Sequence, residues 1–212
     1  MAVSDNRKLV VLDVDSTLIN EEVIDLLAKR AGCEMQVSKI TESAMAGKID
    51  FEESLRRRVK LLTGLTSEVL NEVRDEITLT SGAKELIDHV KQNGFAIGLV
   101  SGGFVQVIKP LVEKLGIDHF RANNLEIIDG VITGKVTGKV IDRAAKALAL
   151  KEYAKTESIP MHRTIAIGDG ANDIDMIQEA GLGVAFCAKE TLKEVADVSI
   201  NKRDLREVIQ YL

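Results

Sequence analysis

The segment at residues 9–19, LVVLDVDSTLI, decides the fold prediction. Its short apolar run is typical of a strand buried on both faces of a parallel sheet, and such strands carry their chemistry at the carboxyl end. Asp13 and Asp15 follow two positions apart, so in an extended chain their side chains leave the strand on the same side. Adjacent carboxylates repel each other unless a proton or a cation lies between them. The segment alone is also consistent with a solvated acidic turn.

Polar groups follow a second apolar run, FAIGLV, which ends in Ser101, Gly102 and Gly103. The glycines let backbone N–H groups approach an anion, and the helix predicted to follow favours negative charge at its N-terminus. A plain strand-to-helix turn explains this motif equally well when it is taken alone.

A third apolar run, TIAI, ends in GDGAND at residues 168–173. Asp169 and Asp173 lie four residues apart and are separated by glycine, which suits a hard cation with oxygen ligands. Because the carboxyl ends of parallel strands meet at one edge of a sheet, we expect all three polar groups to converge there.

Strand and helix patterns alternate along most of the chain, but residues 33–79 have almost purely helical patterns. We therefore predict an α/β fold with a Rossmann-like parallel sheet core, helices on both faces and an inserted helical cap domain. The core is expected at 1–18 and 80–212, and the cap at 19–79. Asn20 is expected to cap the first helix of the insert.

Bulk composition excludes several classes of function. The chain has 212 residues, a net charge of −5 and a pI near 5.4, which argues against nucleic acid or an anionic membrane as the main partner. Its two cysteines lack CxxC spacing and its three histidines lack ligand spacing, so we expect reduced thiols and no zinc site. With neither a signal peptide nor an apolar run long enough to cross a bilayer, a cytoplasmic location is expected.

Two motifs suggest functions that their details exclude. The stretches GVITGK and GKVTGK have three residues between the glycines where a P-loop needs four, and valine follows each lysine. The three consecutive arginines at 56–58 point about 100° apart on a helix, so they cannot form one nucleic-acid patch.

The converging groups suit phosphoryl transfer through an aspartate nucleophile. A phosphate monoester is close to a dianion, so a carboxylate attacks it only with cations between them. Mg²⁺ held by Asp13 and Asp169 supplies one such cation, and a lysine supplies another. Asp15 is placed to protonate the leaving alkoxide and later to accept a proton from water.

The motifs resemble those of the haloacid dehalogenase superfamily: DVDST, VSGGF, Lys146 and GDGAND stand in that order. Segments over essentially the whole chain, such as ITESAMAGKIDFEESLRRRV and AIGDGANDIDM, are similar to the phosphoserine phosphatase family within it. The resemblance implies a Mg²⁺-dependent hydrolase that converts O-phosphoserine to serine and phosphate through an aspartyl-phosphate, in the last step of serine biosynthesis.

The resemblance also implies roles for individual residues. Asp13 would be the nucleophile and Asp15 the general acid and base. Mg²⁺ would be held by the Asp13 side chain, the Asp15 backbone carbonyl and Asp169, with Asp173 supporting the site. Substrate binding is implied for eight residues: Glu22, Met45, Phe51, Arg58, Ser101, Gly102, Lys146 and Asn172.

Two features depart from the family pattern. Val14 stands where many members have phenylalanine, and we expect little effect because its side chain points away from its neighbours. The N-terminal extension of longer bacterial members is missing from the given sequence, so no regulatory domain is inferred.

Three alternatives stay open at this point. The chain could be a phospho-accepting signalling domain, which uses a similar acidic pair, hydroxyl and lysine. Within enzymes it could be a phosphotransferase, or a phosphatase acting on another small phosphomonoester. A non-catalytic binding protein fits least well, because every expected catalytic position is filled.

Overall fold

The fold is built on one seven-stranded sheet. The computed structural model describes residues 6–212, so residues 1–5, which the predicted core includes, lie outside the described residues. The strands are β1 (Leu9–Leu12), β2 (Ala96–Phe104), β3 (His119–Ile128), β4 (Val131–Thr137), β5 (Thr164–Gly168), β6 (Leu182–Phe186) and β7 (Val198–Ile200). Their order across the sheet is β4-β3-β2-β1-β5-β6-β7.

The central strand β1 brings the carboxyl ends of its two neighbours into line. It runs parallel to β2 and β5, and Leu12 is in register with Leu99 on one side and Ile167 on the other. Of the strands in residues 6–212, six are parallel and β4 runs antiparallel, to β3. The predicted parallel core is therefore confirmed, with the antiparallel hairpin at one edge.

Helices cover both faces of the sheet. The helices are α1 (Val23–Ala31), α2 (Glu34–Met45), α3 (Phe51–Lys60), α4 (Val69–Glu76), α5 (Ala83–Gln92), α6 (Val105–Leu115), α7 (Arg143–Thr156), α8 (Ile174–Glu179) and α9 (Glu190–Lys193), and a 3₁₀ helix follows at Leu205–Tyr211. Within residues 6–212, no helix is long and apolar enough to cross a membrane.

Alternate residues of β1 point to opposite sides and build two separate cores, as expected for a strand buried on both faces. Val10 and Leu12 pack in one apolar cluster with helices such as α5 and α6. Leu9 and Val11 pack in the other, with Leu150 of α7 among its members. The prediction of helices on both faces is confirmed.

The predicted helical insert is also confirmed, since α1–α4 lie between β1 and β2. Its division from the core at residues 18/19 and 79/80 stays a prediction. Where the chain enters and leaves the insert, Ile19 forms an antiparallel bridge with Leu79. The expected helix cap at Asn20 is wrong: α1 begins at Val23, and the Asn20 amide donates instead to Thr78 Oγ1 at 2.9 Å.

The insert is joined to the sheet a second time, at the β3–β4 hairpin. The backbone N–H of Gly64 donates to Ile132 O at 2.9 Å, and Ile132 N–H donates back to Leu65 O at 2.9 Å. Ser67 N–H donates to Gly130 O at 2.7 Å. This backbone seam fixes the C-terminal end of α3 to the edge of the sheet.

A glycine pair on the hairpin tests the seam. Gly134 and Gly138 have φ of +81° and +76°, so alanine is strained at both. A Cβ at Gly134 would overlap Thr63 Oγ1, whereas a Cβ at Gly138 meets nothing within 4 Å. We expect Gly138→Ala to lower the free energy of unfolding by about 1–2 kcal/mol, and Gly134→Ala by about a further 1–3 kcal/mol.

Urea unfolding of the two variants measures the difference. Adding Thr63→Ala to Gly134→Ala should recover part of the loss, because it removes the overlapping hydroxyl. Equal destabilisation by Gly134→Ala and Gly138→Ala would show that Gly134 and Thr63 are not closely packed at the seam.

Candidate active site

The site is built at the end of β1. Asp13 directly follows the strand, is 3% exposed, and donates its backbone N–H to Ile167 O at 2.9 Å. The chain then turns tightly, with Ser16 at φ +57°. Gly103 lies against this turn so closely that a Cβ on it would stand 2.9 Å from Asp15 Oδ2. Asp13 and Asp15 line the same cavity, although the chain between them enters a helical turn at Val14–Leu18 and is not extended as predicted.

A fully buried lysine lies beneath these carboxylates. Lys146 Nζ is 2.7 Å from Asp13 Oδ1 and donates a hydrogen bond to Asp173 Oδ1, also at 2.7 Å. The other Asp173 oxygen accepts from the backbone N–H groups of Asp169 and Gly170, at 3.2 and 3.1 Å. Asp173 thus shapes the GDGAND loop and positions the lysine at the same time.

The cluster holds more negative than positive charge. Oxygens of Asp13, Asp169 and Asp173 lie within 4.8 Å of one another, and Asp15 is beside them. Burial raises the pKa of Asp13 well above its usual range, and the charge of Asp173 adds to this effect. Burial and then Glu22 raise the pKa of Asp15 in the same way.

Asp169 has the same preference for its neutral form. Burial, followed by the charge of Asp173, raises its pKa to about 7. Asp15 Oδ1 is also buried without a hydrogen-bond partner among residues 6–212. A hard cation answers the crowding of the Asp13, Asp169 and Asp173 carboxylates, since it neutralises them and accepts oxygen ligands. The residues present therefore fit a metal ion.

The predicted anion cradle lies towards the end of the second strand, β2. Ser101 is fully buried, and its Oγ accepts from Gly103 N–H at 2.8 Å. Asn123 on β3 donates to Gly102 O at 2.8 Å, which holds the glycine carbonyl away from the site. Phe51 of the insert covers Gly102, because a Cβ on this glycine would stand 3.1 Å from Phe51 Cζ.

A cavity of about 560 Å³ opens between the sheet and the insert. Nine of the predicted site residues line it: Asp13, Asp15, Glu22, Met45, Phe51, Arg58, Gly102, Asp169 and Asn172. The other three, Ser101, Lys146 and Asp173, are fully buried outside this lining. The structure thus brings the predicted set together, with the acidic residues and the cradle on the sheet side and the others mostly on the insert side.

Glu22 and Arg58 carry opposite charges at the insert side of the cavity. Glu22 is held by Ser16, whose hydroxyl donates to Glu22 Oε1 at 2.7 Å. Arg58 forms no ion pair with the described residues, and its Nε makes one long bond of 3.4 Å to Ser54 O. Burial lowers the pKa of Arg58. Because Arg58 makes no ion pair with the described residues, its guanidinium is available to an anionic ligand.

The neighbours of Arg58 point elsewhere, as the helical geometry predicts. Arg56 pairs with Glu52 at 2.7 Å and Arg57 pairs with Glu53, both one turn away on the surface of α3. Of the three arginines, only Arg58 lines the cavity.

Sequence reasoning missed five polar residues of the cavity: Asp25, Thr41, Ser54, Arg143 and Lys189. Ser54 could have been found, since it stands one helical turn before Arg58 on the same face. Asp25 likewise lies one turn after Glu22 on the same face. Arg143, which donates to Asp175 at 2.6 Å, and Lys189 have no such spacing. Only the folded chain places them at the cavity.

Comparison with known proteins agrees with this geometry. Residues 10–178 match the family model of haloacid dehalogenase-like hydrolases. A phosphoserine phosphatase of Methanocaldococcus jannaschii is 49% identical over 206 residues, which cover 97% of this chain and 98% of that protein. The phosphoserine phosphatase of Streptomyces coelicolor is 52% identical over 206 residues, but this chain spans only about half its length (50%).

Solved structures show the same relationship. A phospho-aspartyl intermediate analogue of phosphoserine phosphatase superposes with a TM-score of 0.93 at 48% identity, over 98% of this chain and 100% of that one. With the family model and the full-length relative, this match settles the classification: the chain belongs to the phosphoserine phosphatase family of haloacid dehalogenase-like hydrolases.

Proposed function

We propose that the chain hydrolyses O-phosphoserine to serine and phosphate through an aspartyl-phosphate, the last step of serine biosynthesis. One observation carries the substrate assignment: a single cavity is lined by the carboxylates Asp13 and Asp15, by Gly102 and by the opposite charges of Glu22 and Arg58, and Arg58 forms no ion pair with the described residues. Phosphoserine carries a phosphate, a carboxylate and an ammonium, which match these groups. Two relatives, 52% and 49% identical to this chain, are described as phosphoserine phosphatases.

In the proposed mechanism Asp13 attacks the phosphorus and the bond from phosphorus to the serine oxygen breaks. Asp15 gives its proton to that leaving oxygen. Water then attacks the phosphorus of the aspartyl-phosphate, Asp15 accepts the proton of the water, and the Asp13 carboxylate is released with inorganic phosphate. The raised pKa of Asp15 supports its role as the acid in the first step.

Charge neutralisation would come from the residues around the nucleophile. Lys146, 2.7 Å from Asp13 Oδ1, is placed to offset the negative charge of the phosphate. Mg²⁺ is proposed as the metal, held by the Asp13 side chain, the Asp15 carbonyl and Asp169, with Asp173 supporting from behind. Such an ion, when bound, supplies positive charge for the transferring phosphoryl group.

The remaining predicted residues are proposed to bind substrate. Ser101, Gly102, Lys146 and Asn172 would hold the phosphate. Glu22 would bind the ammonium and Arg58 the carboxylate, because a guanidinium meets a carboxylate with two parallel hydrogen bonds. Met45 and Phe51 would cover the substrate from the insert.

The alternatives have less support. A phospho-accepting signalling domain has no need of the helical insert or of a cavity of about 560 Å³ beside the aspartates. A phosphotransferase, or a phosphatase for another small phosphomonoester, would use the same sheet-side chemistry.

A cytoplasmic location is part of the proposal, and the free thiols Cys33 and Cys187 suit a reducing compartment.

The nucleophile is tested by Asp13→Asn. The amide cannot form the acyl-phosphate, so phosphate release should fall to background, and borohydride should trap phosphorylated Asp13 only in the parent protein. Asp15→Asn should slow turnover by about 10²–10⁴-fold. Asp129→Asn, at the distant hairpin turn, is the matched control and should retain full turnover. Near-normal turnover by Asp13→Asn would exclude the covalent route.

The metal is tested by binding as well as by activity. Mg²⁺ should restore turnover after chelation, and Ca²⁺, which prefers a larger and looser ligand shell, should inhibit. At 100 times its dissociation constant, Mg²⁺ should stabilise the folded protein by about 2.7 kcal/mol, and Asp169→Asn should abolish this shift. Full activity in excess chelator, or no thermal shift with Mg²⁺, would contradict the assignment.

The substrate is tested by Arg58→Ala. Loss of a charge-assisted contact should lower kcat/KM for O-phosphoserine by about 10–150-fold. The effect should be far smaller for phosphoethanolamine or p-nitrophenyl phosphate, which lack the carboxylate. Arg57→Ala is the matched control, because Arg57 pairs with Glu53 on the surface. An equal loss on both substrate types would mean that Arg58 supports the fold or the phosphate.

A further inference from the structure

Ser54 combines three properties. It is 1% exposed, it lines the cavity, and its Oγ has no hydrogen-bond partner among the described residues. A serine within a helix commonly bonds back to the carbonyl one turn earlier, but the hydroxyl of Ser54 does not. Burying a hydroxyl without a partner is unfavourable, so this group is expected to meet one inside the cavity.

Ser54 differs in this from the other buried polar side chains without partners. Thr17, Thr80 and the Arg74 Nε also lack partners among the described residues, but none of them lines the cavity. Among the described residues, two carboxylates that line the cavity also have an oxygen without a hydrogen bond, but Asp13 is ion-paired with Lys146 and both Asp13 and Asp15 already have roles in the proposed mechanism.

The position of Ser54 on α3 indicates which part of a ligand it meets. Ser54 and Arg58 stand one turn apart on the same face, and the Arg58 Nε donates to the Ser54 carbonyl at 3.4 Å. Asp25 and Glu22, which would attract an ammonium, belong to α1 and to the residue before it rather than to α3, and their charges also act on Arg58. A hydroxyl beside a guanidinium is placed to donate to the same anion.

We propose that Ser54 is a specificity-determining residue that donates a hydrogen bond to the carboxylate of an amino-acid phosphate ester, beside Arg58. The inference rests on the proposed function and extends it to a residue that the family motifs do not single out. It assigns α3 two adjacent donors for one carboxylate, one charged and one neutral. Discrimination against substrates without a carboxylate then depends on both.

Ser54→Ala tests the proposal, and alanine is well tolerated in a helix. We expect kcat/KM for O-phosphoserine to fall by about tenfold or more, the effect of losing a hydrogen bond to a charged group. Phosphoethanolamine, which keeps the ammonium and lacks the carboxylate, should change by less than about twofold. The inhibition constant of L-serine should rise in parallel, while that of inorganic phosphate stays unchanged.

Two further variants separate contact from fold. Thr80→Val removes a buried hydroxyl without a partner outside the cavity, so the ratio of kcat/KM for the two substrates should stay as in the parent protein. In an Arg58→Ala background, Ser54→Ala should cost less than in the parent, because the carboxylate is no longer held beside it.

The outcomes distinguish the two proposals. If the parent protein favours O-phosphoserine, and Ser54→Ala changes both substrates equally or neither, the role of Ser54 is overturned and the proposed function stands. Equal losses on O-phosphoserine and phosphoethanolamine would place the hydroxyl on the ammonium or the phosphate. If the parent protein shows no preference for O-phosphoserine, the proposed function is overturned, and the role of Ser54 with it.

Discussion

The buried ion cluster around Lys146 is the interaction on which the rest of the site depends. Its ammonium is fully enclosed and stands 2.7 Å from both Asp13 and Asp173. Burial by itself lowers the pKa of such a lysine, but the two carboxylates outweigh this effect and raise it. Removing one partner from a buried ion pair commonly costs about 3–5 kcal/mol, because the other charge is left uncompensated. The fold must therefore bring the end of β1 and the GDGAND loop into contact with Lys146 of α7.

The cluster carries more negative charge than its one ammonium can neutralise. One ammonium faces four carboxylates when Asp15 and Asp169 are counted, and three of these have raised pKa values. In water the carboxylates would relieve this repulsion by moving apart. Here the register of β1 against β5 holds Asp13 and Asp169 at neighbouring strand ends. The excess charge is what makes the site fit a cation, and a cation is what allows a carboxylate to approach a phosphate dianion.

The sheet-side groups could be predicted from sequence because parallel strands impose a simple rule. A polar residue after a buried strand must lie at the carboxyl edge, and Asp13 and Asp169 follow that rule, whereas Ser101 lies within β2, three residues before its end. The insert offers no comparable rule. Glu22 and Arg58 were identified through the family resemblance, and each by itself reads as a surface charge. Asn20 was misassigned because a residue that suits a helix cap can also bond across a chain crossing, as it does to Thr78.

The positions of Arg143 and Lys189 at the cavity could not be predicted from the sequence. They are far apart in sequence, and their presence at one cavity follows from how loops leave different strands. The sheet edge and the insert also divide the reaction chemistry of the site from its substrate specificity. The sheet edge supplies groups that act on any phosphate ester, whereas the charges that distinguish one ester from another stand mainly at the insert side. The seam between residues 64–67 and the β3–β4 hairpin fixes the end of α3 to the sheet, and with it the helix that carries Arg58. Because this seam consists of backbone hydrogen bonds, side chains on the cavity face of α3 can change without loosening it. A change of substrate within this fold therefore needs new side chains on the insert side of the cavity and no change in the strand-end residues that act on the phosphate.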